Sequence, residues 1–362
     1  MHIEKLLLWQ FRNYANTAVS FSPRVNLIRG ENAQGKTNLL EALYFLCTGR
    51  SFRTPHLADL IPYQQPFFQL EAQFAKDDVL QTIKASFDGQ MRRLAHNETN
   101  FSSFAPLLGL LPIVMIAPQD LALVTGAPAE RRRFVDLMLA QSDPLYVHHL
   151  MRYMKAMKQR NALLRSKKTE TIEAWEYAMA QAAHYLLKKR EEGIAEIGPL
   201  AEVSLSALSL GQDLLTIHYQ TTIPKEKSVS VESLVETWAN SRRKELLFGT
   251  SLIGPHRDEL VLTVNGKSAR NYCSEGQKRS LVTALRLAEW KRLKELSGYA
   301  PLICIDDFGI HLDAKRYNLI QKEMLGHGQV FLTTPLLLES AAHADQTLFI
   351  EQGVIKQEHC RI

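Results

Sequence analysis

The chain has 362 residues, 46% of them hydrophobic, with a formal net charge of +5. That length supports a sizeable core and two lobes. No long apolar run predicts a membrane span and no charged-then-apolar start predicts a signal peptide. No membrane partner is expected from that absence, and the four cysteines (Cys47, Cys273, Cys304 and Cys360), scattered without metal-ligand spacing, predict a reduced, cytoplasmic protein.

Residues 3–9, 25–29, 67–74 and 79–87 carry strand patterning, with one clear helix among them. The second of these strands runs directly into Gly30, Glu31, Asn32, Ala33, Gln34, Gly35, Lys36 and Thr37, followed by Asn38 and an apolar helix. Strand, G-x-x-x-x-G-K-[ST] and helix, in that order, form the context of a phosphate-binding loop. The two glycines let backbone N–H groups turn inward around an anion, and the new helix adds its positive end. Lys36 is expected to reach the β/γ-phosphates of a nucleoside triphosphate such as ATP, and the Thr37 hydroxyl to hold Mg²⁺.

From 121 to 200 the pattern turns helical, with helices predicted over 146–165 and 172–190 on either side of Ser166-Lys167-Lys168-Thr169. Heptads are not sustained, so no long coiled coil follows. Basic residues concentrate here: Arg131, Arg132, Arg133, Lys155, Lys158, Arg160, Lys167, Lys168, Lys188, Lys189, Arg190 and then Arg242, Arg243, Lys244. Some of them are candidate contacts to DNA phosphates, and the rest are solvated helix faces. Strands are predicted over 214–220 and 259–264.

Ser274-Glu275-Gly276-Gln277 then opens a helix with an apolar stripe at 281, 282, 285 and 288. Ser274 and Gln277 fit a capping box. They also fit the signature of ABC-type ATPases, since they precede Asp306 by 32 residues. The apolar run 301–305 ends in Asp306-Asp307, as a buried parallel strand ends in an acid at its carboxyl edge. Asp306 suits a Walker B acid near Mg²⁺, and Asp307 the group that orients or deprotonates the attacking water. Loop and acids lie about 270 residues apart, so something large is inserted between them.

The ordered set of these landmarks closely resembles the RecF family, relatives of SMC and Rad50 heads. The resemblance covers nearly the whole chain and includes Phe11-Arg12-Asn13-Tyr14, Thr48-Gly49-Arg50-Ser51-Phe52-Arg53, Gln159-Arg160-Asn161 and Gly254-Pro255-His256-Arg257-Asp258. It implies an α/β ABC-type P-loop ATPase head. Lobe I would comprise 1–120 and 296–362; a mainly helical inserted lobe II, 121–295, would carry the signature and a short antiparallel arm. It further implies a role for Gln119, in Ala117-Pro118-Gln119-Asp120, as a Q-loop. Arg12 would approach the nucleotide phosphates, and Ser274, Gly276 and Gln277 would meet the γ-phosphate held by a second copy. An ATP-dependent homodimer on double-stranded or gapped DNA, weak DNA-stimulated ATPase activity and a RecR partner in recombinase loading follow from the same resemblance. Two positions depart from the pattern: the D-loop reads Ile310-His311-Leu312-Asp313, and Thr333-Thr334 stands where ABC enzymes carry a switch histidine. His256-Arg257-Asp258 has no chemical reading at this level. The rival readings are a transporter's nucleotide-binding subunit, which would depend on membrane subunits, and a metabolic P-loop kinase, which would need an acceptor site.

Overall fold

The computed structural model describes residues 1–224, 229–307, 328–334 and 344–358. In chain order its elements begin with β1 (His2–Phe11), β2 (Tyr14–Ser20), β3 (Val25–Arg29), α1 (Lys36–Thr48), β4 (Phe68–Lys76), β5 (Val79–Phe87), β6 (Arg92–His96), β7 (Thr99–Phe101) and β8 (Ile113–Ile116). They continue with α2 (Ala122–Thr125), α3 (Pro128–Ala140), α4 (Pro144–Ser166), α5 (Ile172–Leu208), β9 (Leu215–Gln220), α6 (Val231–Phe248), β10 (Glu259–Val264), β11 (Lys267–Ser268), α7 (Ala269–Tyr272) and α8 (Glu275–Ser297). They close with β12 (Leu302–Ile305), β13 (Val330–Thr334), β14 (Gln346–Glu351) and β15 (Val354–Glu358). The chain divides into two units, Met1–Asp120 with Glu289–Ile362, and Leu121–Ala288, so the second crossing falls inside α8.

The first unit holds two six-stranded sheets. One is antiparallel, in the order β2-β1-β4-β5-β6-β7. The other runs β15-β14-β3-β13-β12-β8 and is parallel except for the edge hairpin of β14 and β15. Both faces of its central strands are covered: all four residues of the apolar β12 and all five of β13 are buried. The helix α1 packs against β1, β4 and β5 of the first sheet and against β8 and β13 of the second. That position explains why α1 is apolar on nearly every side, with Leu39, Leu40, Leu43, Phe45 and Leu46 all fully buried.

In the second unit α4 and α5 form an antiparallel pair, since Arg160 meets Glu176 while Tyr185 meets Asp143 and Arg190 meets Tyr146. The turn between them starts from Lys167, in the left-handed conformation at φ 57°. Helix α5 does not stop at 190 but continues to Leu208 through Pro199. The charged run 188–192 suggests an end, yet Ile194, Ile197, Ala201, Leu205 and Leu208 keep the apolar period and are buried. Strands β9, β10 and β11 form a small antiparallel sheet in the same unit.

Three of the candidate DNA-contacting cations are buried ion-pair partners instead. Arg160 and its acids Glu176 and Glu245 are fully buried, with Arg160 2.9 Å from Glu176 and 2.6 Å from Glu245, and Arg242 adds a 2.6 Å contact to Glu176. This cluster ties α4, α5 and α6 together. Arg131 is clamped by Glu259 at 2.6 Å, and Arg190 lies 2.8 Å from Asp136 and 3.6 Å from Asp258. Sequence shows cations here but not that their partners sit up to 128 residues away.

The same packing gives His256-Arg257-Asp258 a structural role. His256 Nδ1 meets the Tyr153 hydroxyl at 2.6 Å and its Nε2 meets Ser251 O at 3.0 Å. Asp258, fully buried, accepts from Tyr219, from Thr221 Oγ1 at 3.0 Å and from Thr222 N at 3.1 Å. Burial pulls the His256 imidazole down to about 4, against a backbone hydrogen bond to Ser251 that favours its charged form, while nearby Arg257 and Arg132 lower it further.

The arginine cluster and the buried histidine each carry a stability test. Arg160→Met leaves two buried carboxylates with one fewer cation, and is expected to cost about 3 kcal/mol of unfolding free energy in urea. A surface cation serving only DNA would leave the urea midpoint unchanged. For His256 the folded pKa lies below the unfolded one, so the unfolded chain binds more protons between about pH 4 and 6.5. Its neutral burial therefore contributes fully above pH 6.5, and the contribution is lost as pH falls toward 4. The urea midpoint of the unsubstituted chain should fall more steeply between pH 7.5 and 5 than that of His256→Gln; equal slopes refute the assignment.

Candidate nucleotide-binding site

Residues 30–37 join β3 to α1 at the carboxyl edge of the parallel sheet. Gly30 and Gly35 take φ of 152° and 119°, and Ala33 between them takes 65°. A Cβ on Gly30 would meet Ile350 O at 2.3 Å, so glycine is required both for the dihedral and for the approach of β14. Gly35 offers no side-chain acceptor to the first turn of α1. The N–H groups of that turn therefore face outward along the helix axis with their positive end, which is how a helix start holds an anion.

Several long-range contacts fix the loop. The Gln34 carbonyl accepts from Asn13 Nδ2 at 2.8 Å and from Gly353 N at 3.0 Å, and its side-chain oxygen accepts from Gln352 N at 2.6 Å. The Tyr14 hydroxyl donates to Gly35 O at 3.0 Å, and Asn38 Nδ2 donates to Asn13 Oδ1 at 2.8 Å. The turns between β1 and β2 and between β14 and β15 thus grip the loop from outside it. Sequence reasoning does not place Asn13 or Gln352 in the site, because neither lies in the loop's own motif.

Lys36 is buried and its ammonium donates to Gly30 O and Glu31 O, each at 2.7 Å, spanning the loop from inside. Burial lowers its pKa from the ordinary lysine value, and the negative charges of Asp307 and Asp306 oppose that shift.

Thr37 Oγ1 lies 3.0 Å from each carboxylate oxygen of Asp306. Asp306 follows β12, and the strand between β12 and β3 is β13, which supplies Thr333. The Thr333 hydroxyl, fully buried, donates to Asp306 Oδ1 at 2.7 Å and accepts from Asp307 N at 2.8 Å. That second bond holds Asp307 at φ 55°, a left-handed dihedral disfavoured for a non-glycine residue. Burial raises the Asp306 pKa above the ordinary range; Thr333 pulls it back, Asp307 raises it and Thr37 again lowers it. In sequence, position 333 stands out only for lacking a histidine; the available signal is a hydroxyl on the strand adjoining the acid strand.

A hydroxyl and a carboxylate converging in one spot form an all-oxygen donor pair, which fits a hard divalent cation such as Mg²⁺. Among the described residues no group of three His, Cys, Asp or Glu side chains gathers as a metal site.

Arg12 donates to both oxygens of the fully buried Glu41, at 2.8 and 2.7 Å, and to Asp59 O at 2.8 Å. Glu41 also accepts from Ser51 and, at 3.3 Å, from Arg53, whose guanidinium reaches Asn38 Oδ1 at 2.7 Å. The structure therefore places Arg12 in a buried-carboxylate network one helical turn from the loop. Gln119 is exposed on a short 3-10 turn (Pro118–Leu121) that follows β8, the strand next to β12.

The signature residues belong to the second unit. Ser274 Oγ accepts from Gln277 N at 3.2 Å and Gln277 Oε1 accepts from Ser274 N at 2.9 Å, so the capping box is formed. Gln277 Nε2 also donates to Asp213 Oδ1 at 2.8 Å, fixing the start of α8 beside β9, while Ser274 remains exposed. Gly276 O accepts from Ser280 Oγ at 3.0 Å. The D-loop positions 310–313 lie outside the described residues.

Residues 2–355 match the RecF/RecN/SMC N-terminal domain. A DNA replication and repair protein RecF from Protochlamydia amoebophila is 44% identical over 96% of this chain and 98% of its own length. The chain belongs to the RecF family. A second RecF, from Halalkalibacterium halodurans, is 35% identical over 99% of this chain and all of its own. A solved structure of the recombination mediator protein RecF with ATP, in the RecFOR pathway, superposes with a TM-score of 0.91 at 26% identity, covering 99% of this chain and 97% of that one. An Smc head from Pyrococcus furiosus matches at a TM-score of 0.57 and 16% identity, a likeness of fold alone. The α/β architecture is that of RecF and the SMC-type ABC ATPase heads.

Thr333→Val keeps shape and removes both hydrogen bonds. ATP affinity is expected to stay within about twofold, while ATP turnover falls roughly tenfold or more if the acids that Thr333 holds act on the phosphates, since small displacements of such groups are costly to rate. Thr333→Ser should restore most of the turnover. Unchanged turnover in Thr333→Val refutes the bridging role.

Proposed function

We propose that this chain is a cytoplasmic, ATP-gated DNA clamp of recombinational repair and replication restart. The observation that carries this reading is the convergence of Thr37, Asp306 and Thr333 beside a phosphate loop held open by Gly30 and Gly35. The RecF family supplies the biological setting, and the ATP-bound RecF supports ATP as the nucleotide. Among the described residues no helix is long and apolar enough to cross a membrane.

In this reading lobe I (1–120 and 296–362) binds ATP, and lobe II (121–295) carries the signature and the arm. The backbone N–H groups of residues 31–37 cradle the phosphates, and Lys36 exchanges its two carbonyl acceptors for β/γ-phosphate oxygens. Thr37 and Asp306 would hold Mg²⁺, which would supply positive charge beside the phosphates. Arg12 keeps its Glu41 contacts and turns a remaining N–H toward the phosphates. Gln119 orients water at the γ-phosphate. Asp307 takes the proton of that water as its oxygen attacks phosphorus, and ADP and inorganic phosphate leave. Asp307 is one methylene shorter than the glutamate common in ABC enzymes, so turnover is slow, below about 10 per second.

Two copies close over two ATP molecules, each between one copy's loop and the Ser274–Gln277 signature of the other, a C2 arrangement. ATP closes the dimer on double-stranded DNA or a single-strand/double-strand junction; hydrolysis reopens it. DNA stimulates the weak ATPase. RecR is the partner, in loading RecA recombinase.

A gel shift on gapped DNA, with and without ATP, tests the reading: ATP-dependent binding is expected, and its absence refutes the clamp. A second test separates signature from cap. Ser274→Asp preserves a good helix-capping acceptor but sets a carboxylate against the second copy's γ-phosphate. It should melt at the unsubstituted temperature, bind ATP as a monomer and fail to dimerise in analytical ultracentrifugation. An ATP-dependent dimer of this variant leaves Ser274 as a helix cap only.

A further inference from the structure

The cations of the helical unit fall into two sets. Arg131, Arg160 and Arg190 are consumed by buried carboxylates. A second set gathers at one end of the arm: Arg165, Lys167 and Lys168 where α4 ends, and Arg243 and Lys244 on α6. All five are exposed, and none is ion-paired among the described residues. The two helix ends abut, since a Cβ on Gly249, which caps α6, would lie 2.9 Å from Arg165 Cγ. The buried cluster of Arg160, Glu176, Arg242 and Glu245 holds them in that relation.

Leu247 and Phe248 end α6 at the same place and are 84% and 64% exposed. Spacing of four on a helix puts Leu247 beside Arg243 and Phe248 beside Lys244. The buried residues of α6 are Leu234, Trp238 and Glu245; Leu247 points away from them and Phe248 sits at the margin of their face, yet both stay exposed and add little to its packing. Cations at helix C-termini are favourable to the helix dipole by themselves. That accounts for the charge but not for two large apolar side chains left in water among it. Glu170 and Glu173 are the acids at this end, and Glu173 lies 3.6 Å from Arg242.

We propose that this arm tip is a binding site for a single-strand/double-strand DNA junction. The inference rests on the DNA-binding function proposed above and names the surface that senses the junction. Cations without acid partners suit phosphates. An exposed aromatic next to them suits the face of an unpaired base, which continuous duplex does not offer. Phe248 stacks on the first unpaired base, Leu247 packs beside it, and Arg165, Lys167, Lys168, Arg243 and Lys244 follow the flanking phosphates.

The test is fluorescence anisotropy of the full chain with ATP and Mg²⁺, on a blunt duplex and on a duplex of equal length bearing a single-strand overhang. Phe248→Ala should weaken overhang binding roughly five- to hundredfold and leave blunt-duplex binding unchanged. Phe248→Trp should retain the preference. Lys244→Gln should weaken both and reduce the slope of log affinity against log salt by roughly 0.9. Equal affinity of Phe248→Ala and the unsubstituted chain for the overhang, or an equal loss on both DNAs, overturns the site while the clamp stands. Failure of the unsubstituted chain to bind either DNA overturns the clamp itself.

Discussion

A buried carboxylate at the end of β12 is tenable only with hydrogen-bond donors around it, and Asp306 has two hydroxyls, on two other elements of the site. Thr37 comes from the start of α1 and Thr333 from β13, the strand between β3 and β12. The strand order is what makes this possible. With β13 seated between loop strand and acid strand, groups 269 residues apart meet at 3.0 Å. Desolvation raises the proton affinity of Asp306, which works against binding a divalent cation; the two hydroxyls lower it again. The two hydroxyls thus offset part of the cost of keeping a carboxylate at that depth.

The loop itself is held in a different way. Its backbone N–H groups must stay unpaired toward the anion, so it is fixed by its carbonyls instead. Gln34 O and Gly35 O accept from Asn13, Gly353 and Tyr14, while Lys36 occupies Gly30 O and Glu31 O. Carbonyl acceptors are thus satisfied from outside by the two turns and from inside by Lys36, which leaves the loop's donors free of them. This is the physical condition for an anion cradle that does not collapse on itself.

The parts legible in the sequence are those with local grammar. Glycine spacing before Lys36-Thr37 states its dihedral requirement directly, and the run 301–305 ending in Asp306 states its burial. The capping box at Ser274 and Gln277 is equally local and is formed. Asn13, Gln352 and Thr333 are not legible as site residues, because their meaning lies in which turn or strand the topology places beside the loop. The cations behave likewise: nothing near Arg160 or Arg190 in sequence separates them from Lys167 or Lys168. Their partners Glu245 and Asp258 lie 85 and 68 residues on.

That division of cations has a mechanical consequence. Were the arm to bind a polyanion as proposed, its exposed charges would be pulled, and a pair of helices joined only by apolar contacts can slide along each other. Arg160, bonded at once to α5 through Glu176 and to α6 through Glu245, removes that freedom, because sliding would strand a buried charge. The cost of such uncompensated burial is several kcal/mol, more than a methylene-scale shift in packing. Buried ion pairs contribute little net stability compared with apolar residues of equal volume; here the geometry gives them a register role instead, since Arg160 reaches both α5 and α6. The arm is therefore a rigid spacer with two kinds of charge. Those inside set the geometry of α4, α5 and α6, and those at the tip stay exposed, as the proposed junction site requires.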